Sequence, residues 1–398
     1  MKARRRLLTI GHSYCVGLNR RLPHELARVG NWDVTAVGPV RFRGDFAWHT
    51  LEPATSEPCA VVPVPVHFSR QVHVMLYGRA LASLLAEPWD LVHCWEEPYV
   101  ASAAQIARWT APDVPLVLAT FQNIAKEYPP PFNWIERYSM DRADAVIAFG
   151  RTAADVLASK DWGRGSVQYT ETRPPVSRPR PLAVIPPGVD ATEFKPDEAR
   201  RAATLARLGW PDGVPVVGFV GRLVAEKGVE LLTKVLDLVT TPWRALIVGS
   251  GPLEDSVLAW SRRHGDRVRV VTTALHDEVP AYLNAMDVLC APSQTTTRWR
   301  EQFGRMLIEA FASGVAVIAS SSGEIPYVVA DAGLLVPEDD LAQWRQAIEM
   351  LSADRSRRLA LARLGRERAE SVYAWPVVAR QHLDFFERVI ASRTRLAS

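Results

Sequence analysis

The stretch "VPVVGFVGRLVAEKGVELL", residues 214–232, holds an apolar run, a glycine turn and a helix-like pattern in immediate succession. Its first part carries no charge, which is typical of a strand buried on both faces of a sheet. We expect the strand to end at Gly221 and a helix to begin near Lys227 or Gly228. A strand that leads directly into a helix is the repeating unit of parallel α/β sheets, so this stretch predicts the fold class.

The same unit recurs along most of the chain. Apolar runs that predict strands in the first half are "RLLTIG", "DVTAVG", "AVVPVPV", "DLVHCW", "PLVLAT", "AVIAF" and "LAVIPP". Those in the second half are "VPVVGFVG", "RALIVGS", "RVRVVT", "VLCAPS", "VAVIAS" and "GLLVP", and helix-like stretches lie between many of these runs. We therefore predict two doubly wound α/β domains, joined near residues 186–198, and one amphipathic helix after Pro376.

Length and composition agree with this organisation. A chain of 398 residues exceeds what one hydrophobic core usually holds, and 48% hydrophobic with 23% charged residues is ordinary for a globular protein. We find no apolar run of the roughly 18 residues that a membrane-spanning helix needs. The four cysteines lack paired spacing, which favours reduced thiols in a cytosolic protein over a zinc site. The start, "MKARRRLLTIG", reads as a buried strand with a basic lead-in rather than a signal peptide.

Charge is unevenly distributed. Lys and Arg outnumber Asp and Glu in residues 1–180 but not in the remainder, and the net charge is +3. Two interpretations stay open: this half lies near anionic lipid or an anionic acceptor, or it is an ordinary solvated surface. Residues 163–181, "GRGSVQYTETRPPVSRPRP", form a long polar connection, which we interpret either as an extended excursion or as a disordered loop.

The loop after the strand of residues 214–221 carries the first candidate site. Arg222 and Lys227 follow the carboxyl end of a predicted parallel strand, where ligand crevices form in open α/β sheets. Two cations beside a helix N-terminus suit a pyrophosphate, through charge-assisted hydrogen bonds and the helix dipole. The loop has no Gly-Lys-Ser/Thr sequence, so it is not a Walker loop, and a solvated loop is the alternative interpretation.

The stretch "EQFGRMLIEAFASG", residues 301–314, carries the second candidate site. Gly304 permits close backbone approach at a helix start, and Gly314 is suited to end the helix. Glu301 precedes the helix, and Glu309 lies among its apolar residues. Because a buried carboxylate needs a partner, we expect hydroxyl groups to meet both glutamates: a ribose diol at Glu309 and a hexose at Glu301.

Taken in order, these motifs resemble family 4 of the retaining glycosyltransferases. The resemblance is carried by the two glutamates with seven residues between them, by the stretch 218–232, and by "VIPPGVDATEFKP", "IVGSGPLED" and "YLNAMDVLCAPS". It is close over residues 180–375 and looser before them. It implies the GT-B architecture: two Rossmann-like α/β domains that face each other across a cleft.

The resemblance also implies domain roles. Residues 1–183 would form an acceptor-binding domain, residues 184–198 a linker, and residues 199–375 a nucleotide-sugar-binding domain. The helix of residues 376–398 would pack back onto the first domain.

By the same resemblance, site residues can be expected in the second half. Arg222 and Lys227 would hold the donor diphosphate, and with Glu301, which would bind the donor sugar, they form the expected catalytic set. Glu309 would bind the ribose. Further donor contacts would come from Phe303, Gly304, Arg305 and Met306, and the base would lie near Ala274 and Leu275.

The first half departs from the family pattern. Gly17 is the best match to a glycine loop near the donor phosphates, although the family usually has two adjacent glycines. Many members place a histidine after the strand that matches "PLVLAT", where this chain has "FQNIAKEY". Gln122, Asn123 and Lys126 are therefore candidate sugar or acceptor contacts. His93 and Glu96 follow another strand and are further candidates, with a packed histidine and a surface carboxylate as the alternative interpretations.

The resemblance implies a retaining, metal-independent hexosyltransferase without a cofactor, acting on a nucleotide-sugar donor in polysaccharide or glycoconjugate biosynthesis. The acceptor stays open among a saccharide, a lipid-linked saccharide and a small molecule, and no nucleic-acid partner is expected. We expect a cytoplasmic protein, and the sequence leaves open whether it also makes peripheral contact with the inner face of the membrane. The alternatives are a GT-B nucleotide-sugar epimerase and a catalytically silent nucleotide-sugar-binding partner subunit.

Overall fold

A computed structural model describes residues 4–44, 48–54, 56–160, 162 and 180–397. Most of the polar connection predicted at residues 163–181 lies outside these residues. The strands are β1 (Arg5–Ile10), β2 (Trp32–Pro39), β3 (Arg41–Arg43), β4 (Trp48–Thr50), β5 (Ala60–Val64), β6 (Val66–His67), β7 (Leu76–Tyr77), β8 (Leu91–Cys94), β9 (Leu116–Thr120), β10 (Ala145–Ala148), β11 (Leu182–Val184), β12 (Val216–Val220), β13 (Arg244–Val248), β14 (Val268–Val271), β15 (Val288–Ala291), β16 (Ala316–Ser320) and β17 (Leu334–Val336).

Helices connect most of these strands. They are α1 (Arg21–Val29), α2 (Ala80–Leu85), α3 (Ala101–Trp109), α4 (Phe132–Arg142), α5 (Arg151–Ser159), α6 (Glu198–Leu208), α7 (Val229–Leu236), α8 (Glu254–His264), α9 (Val279–Asn284), α10 (Arg305–Ala312), α11 (Ile325–Val329), α12 (Leu341–Ala353), α13 (Arg355–Arg368) and α14 (Trp375–Ala397). Among the residues that the structure describes, we find no helix with the length and hydropathy of a membrane-spanning segment.

The chain divides into two compact units. Unit 1 comprises residues 1–186 and 375–398, and unit 2 comprises residues 187–374. The predicted linker of residues 184–198 therefore includes the end of β11 in unit 1 and the start of α6 in unit 2.

Unit 1 is built on a seven-stranded parallel sheet in the order β11-β10-β9-β8-β1-β2-β5. The chain moves outward from β1 through β2 to β5 and later returns to the other side of β1 with β8. The direction of winding therefore reverses between β1 and β8, and at such a point the loops after the two strands diverge and leave a crevice.

Two hydrophobic cores cover the faces of this sheet. Neighbouring residues of β1 point to opposite cores, with Leu8 in one and Leu7 in the other. The second core is completed by α14, whose Trp375 and Phe386 are buried and which packs along α1. The C-terminal helix thus returns to the first unit.

Unit 2 repeats the arrangement with six parallel strands in the order β14-β13-β12-β15-β16-β17. Its winding reverses between β12 and β15, and its sheet also lies between two buried cores. The prediction of two doubly wound parallel α/β domains is confirmed.

Each of the thirteen apolar runs named above overlaps a strand of the structure. The runs did not predict the pairs β3–β4 and β6–β7, which are antiparallel and only two or three residues long. Such short strands take their partners from the surrounding fold, because their own sequence carries too few apolar residues to form a pattern.

Candidate functional site

The candidate site of unit 2 lies where β12 and β15 end. The loop after β12 runs from Gly221 to Gly228, and Gly228 begins α7 in a left-handed conformation, with φ of 72°. A Cβ atom at this position would lie 1.8 Å from the carbonyl oxygen of Pro292, just after β15. Only glycine fits such a contact, and it seats the loop that carries Lys227 against the neighbouring strand.

Lys227 and Glu301 form an ion pair at this edge. The Nζ of Lys227 lies 2.6 Å from Oε2 of Glu301, and the hydroxyl of Ser293 donates to the same oxygen at 2.9 Å. The two charged side chains are only 15% and 7% exposed. Burial of either charge alone would cost several kcal/mol, so each compensates the other. The lysine ammonium also lies 5.2 Å from the centre of the Trp299 ring.

This pair revises the expectation for Glu301. The sequence analysis placed Glu301 in contact with a sugar, whereas in the structure its carboxylate is occupied by Lys227 and Ser293. Arg222, the other expected phosphate contact, is exposed just after β12, in the same loop as Lys227. The structure therefore brings Lys227 and Glu301 together and leaves Arg222 at the surface beside β12.

The second glutamate lies in a different environment. Gly304 precedes α10 with φ of 83°, and Glu309 follows in the second turn of that helix. The carboxylate of Glu309 accepts no hydrogen bond from any residue that the structure describes. Its pKa is raised to about 7, mainly by burial; Arg305, one turn earlier, opposes the shift, and the nearby Glu193 adds to it. Glu309 is thus a carboxyl group with no hydrogen-bond donor among the described residues.

The remaining donor candidates surround this helix start. Phe303 is buried in the core, edge-on to Tyr373 with ring centres 5.8 Å apart, so only its backbone can meet a ligand. Met306 and Ala274 are half-buried against the same core. Leu275 is 66% exposed, and its N–H donates to the Glu278 carboxylate at 2.8 Å.

His93, an expected acceptor contact in unit 1, is a core residue. Its side chain is fully buried, its Nδ1 lies 3.1 Å from the Thr9 hydroxyl, and it packs on the rings of Trp95 and Phe386. Burial and the neighbouring His382 lower its pKa well below the usual 6.5. Covered by α14, His93 has no surface with which to touch a sugar, and we withdraw it as a contact.

Glu96 is also buried, at 2% exposure. Its Oε1 accepts from the N–H of His12 at 2.7 Å and from the Tyr77 hydroxyl at 3.1 Å, and its Oε2 lies 2.5 Å from Nδ1 of His12. The Glu96 carboxylate therefore binds His12 and is buried away from the surface. The prediction that Glu96 contacts sugar directly is wrong.

Gln122, Asn123 and Lys126 follow β9, next to β8 in the sheet. Gln122 is half-buried and donates to the Ile124 carbonyl at 3.3 Å, while Asn123 is buried and Lys126 is exposed. Gly17 lies exposed at the surface, and a Cβ atom there would meet only the Arg20 guanidinium, at 3.7 Å. The structure keeps Gln122 and Lys126 accessible at the strand edge and buries Asn123.

The sequence analysis missed two polar residues of these edges, Ser293 and His12. Ser293 ends the run "VLCAPS", two residues after β15, and His12 follows β1 by two residues. A search for polar residues directly after each predicted strand would have found both, because parallel strands end at one edge of their sheet.

Comparison with known proteins agrees with the fold. A family model described as "Glycosyl transferases group 1" matches residues 214–354, and one described as "Glycosyl transferase 4-like domain" matches residues 19–170. Together they span most of the chain, one in each unit. The chain belongs to the group 1 glycosyltransferases.

Individual relatives share about a third or less of their residues with this chain. The chain is 31% identical over 239 residues to a D-inositol 3-phosphate glycosyltransferase of Kineococcus radiotolerans, a match that covers 54% of this chain and 53% of that relative. It is 27% identical over 337 residues to a 2-deoxystreptamine glucosyltransferase of Streptomyces kanamyceticus, covering 82% and 77%. Among solved structures, sucrose-phosphate synthase from Thermosynechococcus elongatus matches with a TM-score of 0.72 at 21% identity, over 98% of this chain and 100% of that one. The last match shows the shared GT-B fold.

Proposed function

We propose that this protein is a retaining glycosyltransferase that moves a hexose from a nucleotide-diphosphate sugar to an acceptor hydroxyl. The observation that carries the proposal is the buried Lys227–Glu301 pair at the strand edge of unit 2, where the winding of the sheet reverses. Retention of configuration is supported by membership in the family.

The diphosphate is the group that needs most stabilisation. When the bond between the sugar C1 and the phosphate oxygen breaks, the electron pair stays with the leaving nucleoside diphosphate. Fixed cations stabilise such growing charge most effectively in a partly desolvated site. Lys227, at 15% exposure, and Arg222, in the same loop, fill this role.

Donor binding then exchanges partners within the site. A diphosphate that takes the ammonium of Lys227 releases the Glu301 carboxylate, which is still fixed by Ser293. The freed oxygen accepts from hydroxyls of the donor sugar. The ion pair therefore keeps both groups neutralised until the donor arrives, and Glu301 becomes competent to bind sugar only when phosphate is present.

The ribose and base follow along α10. Glu309, which lacks a hydrogen-bond donor among the described residues, accepts from the ribose diol, and the backbone of residues 303–306 meets sugar and phosphate. Ala274 and the exposed Leu275 offer an apolar surface for the base. Arg222 and Lys227 supply the positive charge that a metal provides in other transferases, so we propose that the reaction needs neither metal nor cofactor.

The acceptor site belongs to unit 1 in this proposal. The two relatives named above act, by their names, on an inositol phosphate and on 2-deoxystreptamine, which are both polyhydroxylated six-membered carbon rings. We propose an acceptor of this cyclitol class, free or as part of a glycoconjugate, in the cytoplasm. The basic excess of residues 1–180 supports peripheral contact with an anionic lipid face.

Both glutamates and both cations of the site are present, which disfavours an epimerase or a silent subunit.

The experiment is transfer by the purified chain. Sugars linked to UDP, GDP, ADP and dTDP are offered with inositol phosphate or 2-deoxystreptamine, with and without EDTA, and released nucleoside diphosphate is measured. We expect release that depends on acceptor and is unchanged by EDTA, and a product whose anomeric proton coupling in NMR matches the donor. An inverted product would contradict retention, and loss of release with EDTA would contradict metal independence.

A further inference from the structure

A second polar cluster occupies the edge of unit 1 where β1 and β8 end. It contains His12 after β1, Glu96 and Glu97 after β8, and Thr120 at the end of β9. The three strands are neighbours at the point where the winding of this sheet reverses. The cluster therefore occupies the position in unit 1 that Lys227 and Glu301 occupy in unit 2.

Glu96 fixes His12 at two points. One carboxylate oxygen accepts from the backbone N–H of His12 at 2.7 Å, and the other lies 2.5 Å from its Nδ1. Because an ionised carboxylate can only accept, Nδ1 carries the hydrogen. Burial lowers the pKa of His12 but Glu96 and Glu97 raise it, with a net rise above 6.5. In the neutral ring, which prevails above that pKa, the lone pair lies on Nε2. The Tyr77 hydroxyl donates to Glu96 as well, which holds the carboxylate in place.

The free edge of the ring is available to a ligand. The Glu96 side chain is fully buried, whereas the His12 side chain is 27% exposed. Nε2 of His12 makes no hydrogen bond to any residue that the structure describes. An acceptor atom of fixed direction, on a side chain that is 27% exposed, is suited to receive one hydroxyl group, as in other sites where a carboxylate orients an imidazole.

Another histidine–carboxylate pair of unit 1 has a different character. Nε2 of His24 lies 2.7 Å from Glu57, which also binds the Arg20 guanidinium and the N–H of Ala54. That carboxylate has a permanent cation as its main partner. Within the described residues, Glu96 pairs with no Lys or Arg, so its buried charge is compensated only by His12 and Tyr77. Burial of a carboxylate without a Lys or Arg partner is energetically costly, and fixing a loop in place does not require it.

We propose that His12, oriented by Glu96, is the residue of unit 1 that accepts a hydrogen bond from the acceptor hydroxyl, with a cyclitol ring as the ligand. Glu96 is then a positioning residue that contacts no ligand. Glu97, which accepts from Thr120 and from the N–H of Phe121 at 2.7 and 2.8 Å, fixes the adjacent loop in the same way. This inference rests on the proposed function.

The test measures the NMR signal of the His12 imidazole directly. The protein is labelled with 15N-histidine, and NMR spectra are recorded during titration with myo-inositol and with 2-deoxystreptamine. His12→Asn removes Nε2 but keeps an amide at the position of Nδ1, where Glu96 can still accept. His12→Gln places an amide oxygen or nitrogen near the position of Nε2. His24→Asn is the matched control at the other pair.

We expect a shift of the His12 Nε2 resonance with at least one ring, and binding about tenfold weaker in His12→Asn, as for the loss of one hydrogen bond to a partly buried group. His12→Gln should recover part of that loss, Glu96→Gln should weaken binding and broaden the His12 signal, and His24→Asn should bind like wild type. An unshifted His12 signal with both rings, or equal affinity in wild type and His12→Asn, would overturn the proposal. Nucleotide binding to the same samples, measured by thermal shift, separates this failure from a failure of the proposed function.

Discussion

Both units have a parallel sheet whose winding reverses beside its first strand. They differ in the pair of side chains that lies at the carboxyl ends of the strands at this point. Unit 2 buries a lysine against Glu301, whereas unit 1 sets an imidazole against Glu96. An ammonium on a flexible stem keeps its charge at neutral pH and can follow an anion, whereas an imidazole fixed by a carboxylate presents, in its neutral form, one lone pair of fixed direction. One scaffold thus yields a site for charge and a site for a hydroxyl group.

The same contrast holds between the two glutamates of unit 2. Glu301 is compensated by Lys227 and Ser293, whereas Glu309 accepts no hydrogen bond within the part of the chain that the structure describes and has a pKa raised to about 7. A compensated carboxylate stays in place until its cation is drawn away. An uncompensated one is destabilising until a ligand supplies donors, so its energetic cost is a sign of binding.

The largest effect should follow from Glu301→Gln. The amide keeps the size of the side chain but loses the charge that pairs with Lys227 and accepts from sugar hydroxyls. We expect kcat to fall on the order of 100-fold, as when one aligned hydrogen bond to a transition state is lost. Nucleotide affinity should not fall and should rise, because Lys227 no longer has to leave Glu301. Steady-state kinetics beside calorimetric titration of the nucleoside diphosphate measures both, and an equal fall in kcat and affinity would contradict the division of roles.

Lys227→Met should have the next largest effect, on diphosphate affinity. Loss of a charge-assisted contact weakens binding by roughly 10- to 100-fold, and the uncompensated Glu301 would repel the anion further. The nucleoside without phosphates should bind as in wild type. Addition of Glu301→Gln to Lys227→Met should restore part of the affinity for the diphosphate. If the double variant shows no recovery, the proposal that the diphosphate opens the Lys227–Glu301 ion pair is wrong.

Glu309→Gln should change the pH dependence of nucleotide binding. Only the ionised carboxylate accepts from both ribose hydroxyls, so wild-type affinity should rise up to about tenfold per unit as pH approaches 7 from below, then level off. The variant binds the same nucleotide, whose own titration cancels in the ratio of the two affinities. A ratio that is constant from pH 5.5 to 8.5 would exclude a ribose role for this carboxylate.

The same variant tests the energetic cost of Glu309. A carboxyl group whose pKa is raised from 4.5 to about 7 on folding makes the folded protein bind more protons, so stability falls as pH rises through this window. Glu309→Gln should therefore raise Tm relative to wild type at pH 8 and leave it unchanged near pH 4.5. Equal melting curves at pH 8 would mean that the site does not destabilise the fold.

The smallest effect on catalysis is expected in the core of unit 1, where the readout is stability. Burial lowers the pKa of His382 to about 4, and that of His93 is lowered as well. The unfolded chain therefore binds more protons than the folded protein in this pH range. The free energy of unfolding should fall as pH falls from about 6.5 towards 4, by up to about 1.4 kcal/mol per pH unit for each histidine. His382→Asn, which keeps a donor to the Val378 carbonyl, should flatten this dependence in urea unfolding. An equally steep dependence in the variant would contradict the assignment.

Much of the fold could be predicted from the sequence, because buried parallel strands are continuous apolar runs. The strands from "RLLTIG" to "GLLVP" were found in this way, and Gly314 does follow α10 with a positive φ of 69°. The short pairs β3–β4 and β6–β7 could not be found, since their pairing is imposed by the fold around them.

The site was predictable only one residue at a time. Lys227 and Glu301 were identified as separate contacts, but their pairing needs the order β12–β15, which no local pattern carries. For the same reason, the sequence indicates Glu96 as a sugar contact, or else a surface carboxylate, whereas in the structure it supports His12, a residue 84 positions earlier. Burial by a distant helix, α14, likewise decided that His93 is a core residue.

The most direct test of the account is a thermal-shift panel of UDP, GDP, ADP and dTDP, each with its nucleoside, on wild type and Lys227→Met. A ligand that binds only the folded protein raises Tm. We predict that one diphosphate raises the Tm of wild type far more than its nucleoside does, and that this difference disappears in Lys227→Met. Equal shifts with diphosphate and nucleoside in wild type, or a difference that persists in the variant, would contradict a diphosphate site at the edge of unit 2.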